Sequence, residues 1–180
     1  MDTTKRMGTS SINIMKYFTQ EWCWGDLNDT QIKQIEKKYD DYINCVYSRL
    51  TFPLKLLANR INLHDGIVKK LKFFFSKKKL ILFGIFGDLE VGYFYLTIEY
   101  IGIKNVDPDV VFRVFAKKKI EVIRDEMEIL KNSNDECFVH RFIFSNKSEF
   151  QVEFIGCNLK IESASEKDYR NKFCTVSLMK

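Results

Sequence analysis

The chain has 180 residues, 46% of them hydrophobic and 29% charged, and 29 Lys and Arg against 24 Asp and Glu give a net charge of +5. Sixteen Phe, eight Tyr and two Trp supply enough apolar surface for a core and exclude a disordered chain, while eight Gly and two Pro exclude collagen-like and linker-rich designs. The length fits one domain with a small appendage.

Residues 1–14 are polar, lack the apolar centre of a secretory signal, and are expected to be a flexible N-terminal tail. Met15 to Trp22 is short and aromatic, which predicts a strand or a docked extended segment. A helix is predicted next. Asn28 can cap it, Gln31 stands three residues on, and Asp29 suits the positive end of the dipole. Ile32, Ile35, Tyr39, Tyr42, Ile43, Val46 and Leu50 then recur at spacings of three and four, one apolar stripe expected to face the sheet. Pro53 cannot continue that helix, and Leu54, Leu56 and Leu57 suggest a second, short one ending near Asn59. Residues 15–60 are thus a helical N-terminal element.

From Ile61 the period shifts toward two, and residues 61–162 are expected to form a β-rich domain. Ile67, Leu71, Phe73 and Phe75 line one strand face, with Val68, Lys70 and Lys72 on the other. A turn over Ser76–Lys79 leads into Leu80–Phe86, apolar on both faces as in a central, covered strand, with Gly84 marking a bulge. Tyr93–Val106 predicts one bent strand or two. Val110–Phe115 is ambiguous between strand and helix, and Ile120–Ile129 is assigned as strand. A turn over Asn132–Glu136 precedes Cys137–Phe144, where Phe138, His140, Phe142 and Phe144 alternate with Val139, Arg141 and Ile143, and Asn146–Ser148 turns that strand into Phe150–Phe154. Residues 163–180 are a C-terminal tail or a last strand. The expected fold class is α+β, an N-terminal helical element packed on an antiparallel β-sandwich-like domain. The longest apolar run, Leu80–Gly87, falls far short of the roughly 20 residues of a membrane helix.

Candidate chemistry is sparse. The two histidines are His64 and His140. His64 and Asp65 form the one adjacent pair of the kind that metal-dependent phosphohydrolases use, but that chemistry needs further ligands. The preferred reading gives the pair an architectural role at the start of a strand, with Asp65 bonding backbone amides, and His140 is expected to be half buried in a sheet. Asp125, Glu126 and Glu128 read as an acidic solvent face. Five cysteines, none in a C-x-x-C pair, read as reduced cytosolic thiols. The lysine runs Lys69, Lys70 and Lys72, Lys77–Lys78–Lys79 and Lys117–Lys118–Lys119 form a candidate basic surface, as solvated turns and edge guards or as a weak nucleic-acid footprint. No cofactor is indicated.

Met15-Lys16-Tyr17-Phe18-Thr19-Gln20-Glu21-Trp22 resembles the M-K-Y-F-T-x-E-W opening of an uncharacterised Firmicutes family known only as a domain of unknown function. Ile61 to Val68 is similar to that family's N-[LF]-H-D-x-x-I segment, and Arg124–Met127 and Val139–Phe144 are similar to later segments, so the resemblance spans most of Met15 to Glu162. The chain departs from the family in a shorter region between Trp22 and His64. The family's β-domain resembles small bacterial immunity proteins encoded beside toxins. The resemblance implies a non-catalytic cytoplasmic binding protein whose partner is another protein, a toxin among the candidates. The alternatives are a small nucleic-acid-binding module that uses the lysine runs, and a hydrolase centred on His64 and Asp65.

Overall fold

The computed structural model describes residues 14–25, 27–107, 120–131, 136–170 and 175–179, with side chains omitted at 131 and 175–179. The expectations for residues 1–13, for Val110–Phe115, for Lys117–Lys119 and for the turn residues 132–135 lie outside the described residues.

Met15 to Thr19 is docked, but it bends at Lys16–Phe18 rather than running extended, and Gln20–Cys23 then wind into a short helix, α1, where the Thr19 hydroxyl accepts the Trp22 amide and starts a turn. The main helix, α2, spans Asp29–Val46 and begins on a reciprocal cap. Asn28 Oδ1 accepts the Gln31 amide at 3.0 Å while Gln31 Oε1 accepts the Asn28 amide at 2.9 Å. Helix α3 (Phe52–Asn59) carries Pro53 in its first turn, where the missing N–H would have no partner within the helix anyway.

Two sheets follow. Strands β1 (Ile67–Phe74), β2 (Lys79–Asp88), β3 (Gly92–Ile101), β7 (Gly156–Ala164) and β8 (Thr175–Met179) form the larger, in the order β7-β3-β2-β1-β8. All its pairs are antiparallel except β1 with β8. Strands β4 (Val122–Lys131), β5 (Glu136–Phe144) and β6 (Glu149–Phe154) form the smaller, wholly antiparallel sheet. The fold is α+β, with antiparallel sheets and the helical element N-terminal to them. Helix α4 (Glu166–Arg170) precedes β8. The chain crosses from one sheet to the other at Ile155, whose amide bonds Ile101 O at 3.0 Å. Among the described residues, no helix is long and apolar enough to cross a membrane.

Both sheets turn an apolar face to one core. Leu71, Leu82, Leu96 and Ile98 come from the larger sheet and Phe138, Phe142, Phe150 and Phe154 from the smaller; Val46, Leu54 and Leu57 close the core from the helical side. β2 is central, as its composition suggests. The bulge predicted at Gly84 lies on the opposite strand, where the β1 register shifts between Val68 and Lys70. Gly84 itself answers a steric demand, since a Cβ there would stand 2.7 Å from Ile67 O. The bulge brings Val68, rather than Ile67, onto the inner face with Leu71 and Phe73. Phe75, expected on the buried face, belongs to the turn after β1 and is exposed.

The α2 stripe divides between two surfaces. Ile43, Val46 and Leu50 are buried, whereas Ile35 and Tyr39 pack against Phe18 and its neighbours, so the docked segment intervenes where the sheet alone was expected. Tyr39 and Tyr42 do more than pack. Their hydroxyls accept the amides of Met127 and Ile129, each at 2.8 Å, along the free edge of β4. Residues three apart on a helix share a face, and alternate strand residues point their amides the same way, so two phenols satisfy two edge donors. The helix thus blocks an edge that would otherwise pair with another strand.

Tyr39→Phe should therefore destabilise the protein by about 1 kcal/mol in chemical denaturation, by stranding the Met127 amide. Tyr47→Phe, at an exposed position, should change it by less than about half of that.

Candidate functional site

The lysines of the first two runs lie on or beside the outer face of the larger sheet. Strand register sets its rows. Lys70 lies across from Phe83, Thr97 and Lys160, and Lys72 across from Ile81, Glu99 and Asn158. The face is therefore an aromatic and aliphatic strip of Phe74, Ile81, Phe83 and Tyr95, half buried by its own neighbours and bordered by charge. The Phe83 and Tyr95 rings stack on each other at 5.3 Å. Helix α4 covers one end. Tyr169 stacks on Tyr93 at 4.6 Å, Tyr95 bonds Asp168, and Lys69 Nζ donates to Asp168 O at 3.2 Å.

The lysines have distinct roles there. Lys79 pairs with Glu99 and sits over the Phe74 ring, and the hydrogen bond from Lys79, with that from Asn158, holds the Glu99 carboxyl below its usual range. Lys78 occupies a left-handed turn position at φ 45° beside exposed Lys77. Lys70 and Lys72 have no acidic partner within 4.0 Å among the described residues, which leaves their charge available to a ligand. Lys117, Lys118 and Lys119 lie outside the described residues.

His64 and Asp65 sit in the loop before β1. Asn62 Oδ1 accepts the His64 amide at 3.0 Å, Asp65 adopts φ 57°, and the loop zips onto β4 through Asp65 N to Val122 O and Val122 N to Gly66 O, each at 2.8 Å. Gly66 is required here, since a Cβ would collide with the Phe86 ring at 1.9 Å. The side chains behave otherwise than expected. Among the described residues the Asp65 carboxylate bonds no backbone amide; it meets His64 Nδ1 at 3.1 Å, the His64 and Asp65 side chains being 43% and 63% exposed, because backbone partners already satisfy the loop. With Arg60, Asn62, Asp88 and Phe94 the pair lines a cavity of about 370 Å³. Among the described residues no three His, Cys, Asp or Glu side chains are placed to hold a metal ion.

Asp125, Glu126 and Glu128 do not form the solvent face that their spacing suggests. Glu126 is 0% exposed. Its two oxygens accept the amides of Lys16, Tyr17 and Phe18 at 2.7, 2.8 and 3.3 Å, and Arg141 Nη1 stands 3.4 Å away. Glu149 Oε2 accepts the amides of Ile14 and Met15 at 2.5 and 3.0 Å. Five consecutive amides of the docked segment thus end on two carboxylates. Glu128 completes the layer, bonded by Lys16 Nζ at 2.7 Å and Arg141 Nη2 at 2.8 Å, while Arg141 Nε donates to Gln151 at 2.9 Å. Burial alone would raise the Glu128 carboxyl, but the bonds from Lys16 and Arg141 outweigh it and hold the group below its usual range.

On the inner side, His140 is fully buried rather than half buried, because the larger sheet covers it. Tyr100 Oη lies 2.8 Å from its Nδ1 and Asp125 Oδ2 lies 2.9 Å from its Nε2. A neutral ring with its proton on Nε2 satisfies all three groups, with Tyr100 donating to Nδ1 and Nε2 donating to Asp125. Tyr100 comes from the larger sheet and His140 from the smaller, so the trio ties the layers together. It presents no nucleophile, since Tyr100 is enclosed and burial holds its hydroxyl well above the usual range. Burial also pushes the Cys157 thiol up to about 12 and is the main cause that takes Cys23 to about 11, so both stay protonated at neutral pH.

Glu126 reads from the sequence only as part of an acidic face, and Arg141 only as one position of an alternating strand. The usable signal is a cation within β5, whose other residues are largely apolar, that can pair with the acids of β4. Comparison with family models finds no match for this chain, and comparison with curated proteins finds none either.

The Glu128 carboxyl titrates below its unfolded value, so its stabilisation is present above the unfolded pKa and is lost as pH falls through the folded one. The stability difference between the protein and Glu128→Gln should be fully open at pH 7 and close below about pH 4. Denaturation curves across that range measure it.

Proposed function

We propose that the protein is a non-catalytic cytoplasmic binding protein that recognises another protein through the outer face of its larger sheet. The observation that carries this reading is the strip of Phe74, Ile81, Phe83 and Tyr95 with Lys70 and Lys72 along one side. An apolar strip supplies binding energy, and unpaired cations beside it select an acidic surface and steer its approach. The resemblance to immunity-type proteins supports the same reading, with a toxin that presents an acidic patch as the partner. Such a protein acts by covering a surface, which needs no reactive group of its own.

Two other readings have less support. Single-stranded nucleic acid stacks on open ring faces, and Phe83 and Tyr95 turn theirs toward each other. Hydrolysis at His64 and Asp65 would require a third group to share a metal or activate water, and Asp88 at the cavity is instead bonded by the Glu90 and Val91 amides.

The test pairs the tagged chain with a Lys70→Glu/Lys72→Glu variant in capture from host cells, alongside titration with single-stranded DNA near physiological salt. The expected result is a protein partner held by the parent and lost by the variant, at equal melting temperatures, with DNA binding no tighter than roughly 10⁻⁶ M. A partner retained by the variant, or a tighter DNA complex that weakens steeply with salt, would contradict the proposal.

A further inference from the structure

Strand β7 ends the larger sheet, and among the described residues its only strand partner is β3. It is nine residues long, contains no proline, and is exposed on both sides along Lys160–Ser163, with Ile161 50% exposed. The free edge of β4 is stopped by Tyr39 and Tyr42; helix α3 approaches β7, but Lys160–Ser163 stay exposed. A long, regular edge with an exposed apolar residue is a template for another strand.

The sequence of that edge selects its partner. Lys160, Ile161 and Glu162 read as positive, apolar, negative. In an antiparallel pairing of two copies about a two-fold axis at Ile161, the two isoleucines meet at the centre. Lys160 of each copy then lies directly opposite Glu162 of the other. Lys160 and Glu162 already share a face, with their charged groups 2.9 Å apart within one chain. Pairing would place the four charges in an alternating square, each acid between two bases. A shift of the centre to Lys160 or Glu162 instead sets like charges against each other, which disfavours those registers.

We propose that the protein self-associates through β7 into a two-fold dimer with a continuous ten-stranded sheet, centred on Ile161. The two-fold axis stands perpendicular to the sheet, so the outer faces of both copies lie on one side. This inference is independent of the partner assigned to that face, since it rests on the edge rather than on the strip.

The charge pattern supplies the test. Sedimentation equilibrium of the full chain should give a concentration-dependent mass between monomer and dimer. Lys160→Glu and Glu162→Lys should each weaken association roughly tenfold or more, because the symmetry turns two attractive pairs into two repulsive ones. The double variant Lys160→Glu/Glu162→Lys restores the square and should return the affinity to within about threefold of the parent. Both positions are exposed, and circular dichroism of each variant checks that the fold is retained. A monomer up to hundreds of micromolar would overturn the proposal, as would a dimer indifferent to the single reversals or one that the double variant does not restore.

Discussion

The structure depends on how one buried carboxylate is satisfied. Glu126 is fully enclosed on the outward face of the smaller sheet, where an uncompensated charge would destabilise the fold by several kcal/mol. Its partners are Arg141 on the neighbouring strand and three consecutive amides of Lys16–Phe18, more than one hundred residues away in sequence. That layer sets Glu126, Glu128 and Glu149 against Lys16 and Arg141, and Glu126 and Glu149 also face peptide N–H groups, which point their positive ends at them. The docked segment is therefore a structural part of the domain rather than an appendage. Tyr17, Phe18 and Trp22 then cover the apolar remainder of the same face, with the Arg124 guanidinium over the Phe18 ring at 4.7 Å.

This arrangement divides the molecule into a closed half and an open half. The smaller sheet is covered on one face by the larger sheet, on the other by residues 14–24, and along β4 by two tyrosines of α2. The Tyr100, His140 and Asp125 trio bolts it to its neighbour. The larger sheet is covered on its inner face, while its outer face carries α4 at one end and its β7 edge ends the sheet. Buried polar groups with partners in place, as Glu126 and His140 have, hold a defined geometry; surfaces with spare charge and apolar area are where a partner can gain contact. Chemistry-bearing residues follow the same division. His140, Cys157 and Tyr100 are locked inside, whereas the lysines stand outside.

Local patterns in the sequence carried the α+β class, the Asn28 and Gln31 cap, the change from a period near four to a period of two, and the alternation in β5. Each rests on residues close together in the chain. What escaped is non-local. Nothing near Glu126 shows that the amides of Lys16–Phe18 will meet it, so three carboxylates within four residues looked like a solvent face. The β1 bulge was placed on the wrong strand because Gly84 marks the close approach, while the extra residue lies across from it. The amides expected to bond the Asp65 carboxylate have main-chain partners instead, Asp65 N on Val122 O and Gly66 N on Leu63 O. His140 looked half buried because one sheet face is usually wet, and here both faces are covered.

The most direct measurement is amide hydrogen exchange, read residue by residue in the native protein at neutral pH. Lys16 and Tyr17 should exchange slower than unstructured peptide by a factor on the order of a hundred or more, in step with β5. Glu126→Gln, which leaves one acceptor oxygen in place of two, should lower that protection while β2 and β3 keep theirs. Exchange of Lys16 and Tyr17 at unstructured rates beside a protected β5 would show that the carboxylate is satisfied without the segment, and would contradict the account.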